Sequence, residues 1–245
     1  NLFYGTGIPA CIIVIDKENA QNRKGIFMVD ADKGFIKDGN KNRLREMDIH
    51  KIVDIFNNHI EVAGFSKMIS FSDIEKNEFN LNIPRYIDSS EAEDLQDIEA
   101  HLLGDIPRAD IDALKNYWEI LPDLKASLFK QAERSAQYLS LQGAKDDIKQ
   151  TIYQHPEFVH YMEEMNQVFR EWSKSTTTQL KSLQIEHKPK EVIHSISETL
   201  LSAYTNKALI DRYDVYQHLM NYWSEVMQDD CYLIAADGWQ TETYR

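Results

Sequence analysis

Several groups of polar residues in this sequence have the types that enzymes use, but their spacing completes no catalytic site. Pro122-Asp123 with Glu186-His187-Lys188 imitates the residues of divalent-metal nucleases, whose chemistry needs the glutamate and lysine on adjacent strands. Here they fall in a polar gap between predicted helices. Asp214 and His218 share a helical face, where a hydrogen-bonded pair is commoner than a metal site without a third ligand. We therefore expect no catalytic residue and no metal site in this chain.

Two further patterns also predict little chemistry. Gly5-Thr6-Gly7 has too few glycines for a dinucleotide-binding or phosphate-binding loop, and Pro9 follows where the helix of such a motif begins. Asp229, Asp230 and Asp237 supply three carboxylates with no histidine among them, which predicts at most weak cation binding.

Composition limits the class of protein. The 245 residues are 42% hydrophobic and 11% aromatic, which is enough to build a core and argues against a disordered chain. The longest apolar stretch, Ile8 to Ile15, is far shorter than the ~20 residues that span a membrane. Cys11 and Cys231 make no disulfide framework and no signal-peptide pattern is present, so we expect a cytoplasmic location. Because Asn1 is not a methionine, we expect a piece of a longer polypeptide.

The formal net charge of −13 is unevenly distributed along the chain. Residues 1–90 contain 12 Lys and Arg against 13 Asp and Glu, whereas residues 91–245 contain 15 against 27. A local excess of basic side chains surrounds the start of a predicted helix and could lie near phosphate. The alternative is an ordinary solvated helix face. These basic residues are Lys33, Lys37, Lys41, Arg43, Arg45 and Lys51.

The first part of the chain has the pattern of mixed α/β structure. The continuous β-branched run of Ala10–Ile15 predicts a strand buried on both faces, with Gly25–Asp30 as its hairpin partner. Helical spacing predicts a helix from about residue 43 to residue 58. Alternation over Phe65–Phe71 predicts a further strand.

The pattern changes near residue 88, and the rest of the chain predicts an acidic, all-helical domain. Apolar stripes at helical spacing indicate a packed core in this part. Cys231–Ala236 is the one segment with the composition of a short strand. The predicted helices cover residues 89–103, 108–118, 122–130, 145–154, 157–183, 190–205 and 213–227.

Four ordered stretches in the first part of the chain carry a family resemblance. They are Asn1–Ile15, Gly25–Ala31, Asn42–Val53 and Phe79–Tyr86. In this order they resemble a late part of adenine-N6 DNA methyltransferases, and most closely the modification (M) subunit of type I restriction–modification systems. The runs 213–230 and 236–239 also look like the carboxy-terminal region of some M subunits.

The resemblance implies both a fold and an activity. The fold is α+β and mostly α: residues 1–88 hold the last strands and helix of a truncated Rossmann-like methyltransferase sheet, and residues 89–245 form the helical domain for subunit assembly. The parent protein would transfer a methyl group from S-adenosylmethionine to N6 of adenine in a specific DNA sequence. However, the family's Gly-rich cofactor motif and its Asn-Pro-Pro-aromatic motif are missing, and Asn82–Tyr86 only imitates the second. We therefore expect this chain alone to be inactive and to bind no S-adenosylmethionine.

The resemblance also implies residue roles and partners. Phe3, with Tyr4 second, matches an aromatic residue that stacks on the flipped adenine; a core position or a frayed terminus is the alternative. The expected contacts with the DNA backbone are Lys41, Arg43, Arg45 and Lys51. The implied partners are the specificity (S) and restriction (R) subunits, with DNA bound through the intact complex and no membrane. The alternative function is a non-enzymatic helical module for protein interaction and assembly.

Overall fold

The computed structural model describes residues 10–90 and 96–240. The chain divides into two compact units, Asn1–Glu93 (unit 1) and Asp94–Arg245 (unit 2). The described residues are mostly helical and contain three small antiparallel sheets. The expectation of an α+β protein that is mostly α is therefore confirmed. No helix among the described residues is long and apolar enough to cross a membrane.

Unit 1 is built from two strand pairs and two α-helices within its described residues. Its elements are β1 (Gly25–Val29), β2 (Ile36–Asp38), β3 (Lys41–Arg43), α1 (Glu46–Asn58), β4 (Ser66–Ser70) and α2 (Phe71–Lys76). β1 pairs with β4, with Gly25 opposite Ser70 and Val29 opposite Ser66, and β2 pairs with β3. Two 3₁₀ turns lie over Ala20–Asn22 and Ile83–Arg85.

Helices and loops cover both faces of the β1–β4 pair. On one face Met28 and Ile69 pack with Ile74 of α2 and Ile87 in a buried cluster. On the other face the ring of Phe27 meets that of Phe56, on α1, edge to face at 6.3 Å. A two-stranded sheet is marginal on its own, so these two layers of apolar contacts stabilise the pair.

The predicted strand at Ala10–Ile15 is wrong for this structure. These residues form no strand, and Ile12, Ile13, Val14 and Ile15 are 92%, 75%, 60% and 85% exposed. The expected hairpin is also wrong, because β1 pairs with β4 instead. A strand forms only where a neighbouring strand takes up its backbone hydrogen bonds, and the described residues offer none to this run.

Unit 2 contains a small sheet and a set of helices. The described elements are α3 (Ile98–Leu103), β5 (Ile106–Pro107), α4 (Arg108–Ala113), α5 (Lys115–Ile120), α6 (Pro122–Leu128), β6 (Phe129–Gln131), β7 (Tyr138–Leu141), α7 (Ile148–Gln154), α8 (Pro156–Lys181), α9 (Pro189–Ala203), α10 (Arg212–Tyr222) and α11 (Gln228–Asp237). A π-helical turn, Trp223–Met227, joins α10 to α11. The strand order of the sheet is β5-β7-β6.

This sheet overturns the expectation of an all-helical domain. Arg134 holds its loops together: its guanidinium donates to Asp105 Oδ2 at 3.0 Å and to the carbonyl of Gly104 at 2.9 Å. It also lies 3.6 Å above the ring of Tyr138, on β7. Hydrogen bonds from Ser140 and then from Arg134 keep the pKa of Asp105 below its ordinary value, against the opposing effect of desolvation. Contacts between residues this far apart in sequence leave no periodic signal.

The predicted strand at Cys231–Ala236 is also wrong, because this segment lies within α11. A short apolar run fits a strand or a buried helix equally well by composition. Burial decides between them: Cys231 is buried while Tyr232 and Leu233 are exposed, so the run has a helical inner face. The predicted helix over residues 108–118 is in fact two helices, α4 and α5, separated at Leu114.

The core of unit 2 lies along α8, α9 and α10. Ile196 of α9 is completely buried in a cluster with Leu200, Tyr204 and Leu219. The indole N–H of Trp172, on α8, donates to the carbonyl of Ile196 at 3.1 Å. Burial of these large side chains is the main stabilising contribution, and hydrogen bonding of the indole avoids the cost of an unpaired buried N–H.

Candidate nucleic-acid interface

Three of the basic residues singled out in the sequence, Lys37, Lys41 and Arg43, lie on a β-hairpin rather than on a helix. β2 and β3 are joined by a two-residue turn, Gly39-Asn40, with Asp38 opposite Lys41 and Ile36 opposite Arg43. Gly39 has a φ of +59°, a conformation that glycine adopts readily at the first position of such a turn. The prediction of a helix from residue 43 is thus corrected, since α1 begins only at Glu46.

Lys41 and Arg43 lie on the same face of this hairpin. They are two residues apart on β3, which separates their backbone positions by about 7 Å along the strand. Both are exposed, and Arg43 makes an exposed ion pair with Asp38 at 3.5 Å. Lys37, on the opposite face, donates to the amide oxygen of Asn42 at 2.6 Å. The hairpin therefore presents three cations to solvent, which suits contact with a polyanion.

Arg45 binds a buried carboxylate and differs in this respect from the hairpin residues, which are exposed. Its Nε and Nη2 each donate to Asp48 at 2.9 Å, and its backbone N–H donates to the same carboxylate at 2.8 Å. Asp48 is buried, which alone would raise its pKa, but the hydrogen bonds from Arg45 outweigh burial and the pKa is lowered. Arg45 is therefore the N-cap residue of α1, and its side chain binds the buried carboxylate of Asp48.

Lys51 lies on α1, with its ammonium 5.3 Å from the centre of the Phe65 ring. The four residues predicted to contact the DNA backbone thus lie on different elements. Lys41 and Arg43 lie on β3, Arg45 lies at the start of α1, and Lys51 lies within α1. Their contact with DNA stays a prediction. Phe3 and Tyr4 lie outside the described residues, and their proposed stacking on a target base also stays a prediction.

One cluster in unit 2 imitates the Ser-His-acid arrangement of hydrolases. Ser127 Oγ lies 3.2 Å from His155 Nε2. However, His155 Nδ1 accepts the backbone N–H of Glu157 at 3.4 Å, which assigns the proton to Nε2, so the ring cannot accept the serine proton. The Glu157 carboxylate accepts the backbone N–H groups of Asp123 and Leu124 at 3.1 and 2.9 Å. These residues cap the first turns of α6 and α8, and their role is structural.

Among residues 10–90 and 96–240, no group of three or more His, Cys, Asp or Glu side chains is placed to hold a metal ion. Asp229, Asp230 and Asp237 are all exposed on α11. Burial raises the pKa of the Cys231 thiol, followed by a smaller effect of Asp230, so this cysteine is no reactive thiolate.

Comparison with known proteins finds a family match in the first part of the chain. Residues 1–95 match the protein family described as N-6 DNA Methylase. The family segment therefore contains both the exposed run Ala10–Ile15 and the basic hairpin β2–β3. No solved structure matches the chain.

Curated relatives point to one branch of the N-6 DNA methylases. The chain is 31% identical over 127 residues to the type I restriction enzyme MpnII methylase subunit of Mycoplasma pneumoniae, covering 51% of this chain and 23% of the relative. It is 36% identical over 90 residues to the MjaVII methylase subunit of Methanocaldococcus jannaschii, covering 35% and 16%. The chain thus spans less than a quarter of these relatives. The resemblance to methylase subunits of type I systems is confirmed.

The described residues of the N-6 DNA methylase segment do not fit an S-adenosylmethionine site. A cofactor of this kind is held at a Gly-rich turn between a strand and the following helix. In residues 10–90, β3 reaches α1 through Leu44 and Arg45, and β4 leads directly into α2 with Ser70 as the N-cap. Neither junction contains a glycine.

Proposed function

We propose that this chain is part of the M subunit of a type I restriction–modification system. The parent protein transfers a methyl group from S-adenosylmethionine to N6 of adenine in a specific DNA sequence. The observation that carries the proposal is the similarity of residues 1–95 to N-6 DNA methylases, together with relatives that are methylase subunits. The whole-protein activity is inferred, since only a fraction of each relative is matched.

The exposed run Ala10–Ile15 supports the view that unit 1 completes a larger sheet. Four consecutive β-branched side chains, Ile12 to Ile15, lie in water, although such a run is typical of a strand buried on both faces. We infer that in the parent protein this run pairs with strands formed by other segments, as part of the Rossmann-like sheet. Unit 1 alone then lacks the cofactor and target-base motifs, and we expect no methyl transfer from this chain by itself.

The basic hairpin is the element of unit 1 that we propose to contact the DNA backbone. Lys41→Gln or Arg43→Gln in the intact complex should weaken DNA binding equally for target and non-target duplexes. Each change should reduce the slope of log K against log salt by ~0.9, because each removes about one phosphate contact. The measurement is fluorescence anisotropy of labelled duplexes over a range of salt concentrations.

Arg45 provides the matched control for the hairpin variants. Arg45→Gln removes the same charge but breaks the hydrogen bonds to buried Asp48. It should lower the stability of unit 1 by about 1–3 kcal/mol and leave the salt slope unchanged. An equal reduction of the salt slope in Arg45→Gln, or no reduction in the hairpin variants, would contradict the assignment of DNA-backbone contacts to the hairpin.

Unit 2 is proposed to join the M subunit to its partner subunits. Residues 91–245, which include all of unit 2, carry a net charge of −12, which disfavours DNA and leaves protein partners such as the S and R subunits. If the parent proved to lack methyltransferase activity, unit 2 would remain a helical assembly module, which is the second candidate function. Co-purification of the parent protein with the S subunit, and its loss on deletion of residues 96–240, tests the assembly role.

The methyl-transfer proposal is tested with tritiated S-adenosylmethionine and DNA. The parent complex should label adenine at N6, and this chain alone should label nothing. Label on cytosine, or label produced by this chain alone, would refute the proposal.

A further inference from the structure

The last long helical run of unit 2 has an exposed apolar stripe beside its buried face. α10, the π-helical turn and α11 continue without a break from Arg212 to Asp237. The buried side chains of this run include Tyr216, Leu219, Trp223 and Cys231. The stripe consists of Tyr222, Val226 and Leu233, which are 55%, 52% and 49% exposed.

The spacing of these residues explains why they form one stripe. Tyr222 and Val226 are four residues apart, and each immediately precedes a residue that packs in the core, as does Leu233. They therefore follow the edge of the inward face along the helix. The π-helical turn inserts one extra residue per turn between the two ends of the run. Such turns are rare and occur often at functional sites.

The formal charge on this helical run after Arg212 has one sign. Residues 213–240 contain no lysine or arginine. Glu225 and Asp229 lie close to Val226 in sequence, and Asp230 and Asp237 flank Leu233; all four carboxylates are exposed. An apolar stripe with an acidic rim favours a partner surface that is apolar at its centre and basic at its edges.

The same charge argues against two other occupants. A second copy of this chain would bring the same acidic rim against the stripe, and each copy has a net charge of −13. A nucleic acid would be repelled by the same carboxylates. An amphipathic helix with lysine or arginine beside its apolar face matches both the stripe and its rim.

We propose that the stripe Tyr222–Val226–Leu233 binds a basic amphipathic helix of a partner protein. This deepens the proposed assembly role of unit 2 and assigns it to one face of one helical run. The apolar side chains supply contact area at the centre, and the carboxylates of Glu225, Asp229, Asp230 and Asp237 orient the partner and accept its basic side chains.

The test uses the full 245-residue chain and a defined probe. The probe is a fluorescein-labelled peptide of leucine and lysine at amphipathic helical spacing, and binding is measured by fluorescence anisotropy. Val226→Glu and Leu233→Glu should each raise Kd at least about 10-fold, because each places a charge in the contact. Val159→Glu is the matched control, since Val159 is also 52% exposed but lies on α8. It should leave Kd within about twofold.

A second pair of variants tests the rim. Asp229→Asn with Asp230→Asn should weaken binding several-fold and reduce its dependence on salt. Asp146→Asn with Asp147→Asn removes the same charge at exposed positions in another part of unit 2 and should have little effect. Circular dichroism of every variant identifies loss of folding, and Val226→Ala, which adds no charge, should still weaken binding measurably.

Three results would overturn the proposal. One is equal weakening by Val159→Glu, and another is equally tight binding of a leucine–glutamate peptide. The third is sedimentation showing a dimer of this chain that Val226→Glu dissociates, which would make the occupant a second copy. Because the assay contains neither DNA nor S-adenosylmethionine, failure of the methyl-transfer proposal leaves its outcome unaffected.

Discussion

Ile12→Lys should leave the stability of this chain unchanged and strongly destabilise the parent protein. In the chain alone Ile12 is 92% exposed, so the free energy of unfolding should change by less than about 0.5 kcal/mol. In the parent we infer that residues 10–15 form a strand buried on both faces. There an uncompensated ammonium would cost about 3–5 kcal/mol. Urea unfolding of both proteins, followed by circular dichroism, measures the difference.

Ile98→Lys is the control for this comparison. Ile98 lies on α3, is 70% exposed, and belongs to no segment that we assign to the sheet. It should change the stability of both proteins by less than about 0.5 kcal/mol. A parent protein that tolerates Ile12→Lys as well as Ile98→Lys would show that Ala10–Ile15 is not a buried strand.

The second large effect is expected from Phe3→Ala in the parent protein. An enzyme that methylates a base in duplex DNA must extrude the base and hold it in its site. Stacking on an aromatic side chain contributes ~1–3 kcal/mol per base, so the change should slow methyl transfer by roughly 5- to 150-fold. Single-turnover rates on a target duplex provide the measurement, and 2-aminopurine fluorescence at the target position reports extrusion.

Two variants separate stacking from a merely structural role of Phe3. Phe3→Trp keeps an aromatic face and should retain most of the activity, whereas Tyr4→Ala should have the smaller effect if Phe3 is the stacking residue. Unchanged kinetics and unchanged 2-aminopurine extrusion in Phe3→Ala would reject the assignment. Stronger loss in Tyr4→Ala would move the role to Tyr4.

The elements that were predicted correctly are those whose signal lies in the local sequence. α8 was predicted over residues 157–183 and is found at Pro156–Lys181, and the strand predicted at Phe65–Phe71 is found at Ser66–Ser70. In α8 a long apolar stripe at helical spacing marks the inner side, and in β4 the buried Ile69 packs with Ile74. The family resemblance likewise depended on ordered local stretches, and the comparisons confirmed it.

The elements that were missed depend on contacts between distant residues or on polar side chains. The hairpin β2–β3 consists largely of charged and amide residues, so its strands carry no apolar alternation, and only Gly39-Asn40 marked a break. The sheet β5-β7-β6 depends on Arg134 and its long-range bonds. The strand prediction at Ala10–Ile15 was wrong for the opposite reason. The composition of this run fits a buried strand, but a strand needs a neighbouring strand, and none of the described residues pairs with it.

The candidate interface was predicted in part. The sequence identified the basic cluster, but it could not distinguish exposed Lys41 and Arg43 from Arg45, whose guanidinium binds buried Asp48. That distinction depends on the fold around the start of α1. The exposed stripe along α10, the π-helical turn and α11 could not be predicted from the sequence. Tyr222, Val226 and Leu233 are large apolar residues like their buried neighbours, so residue type does not distinguish them.

We propose that residues 1–95 complete a DNA adenine methyltransferase. The most direct test is methyl transfer by the parent protein with its S subunit, with and without residues 10–90, using tritiated S-adenosylmethionine and target DNA. We predict label at adenine N6 for the intact protein and none after the deletion. The S-adenosylmethionine binding segment should remain folded in the deleted protein, as judged by ligand-dependent thermal shift. Undiminished methyl transfer after the deletion, or no transfer by the intact complex, would refute this assignment of residues 1–95.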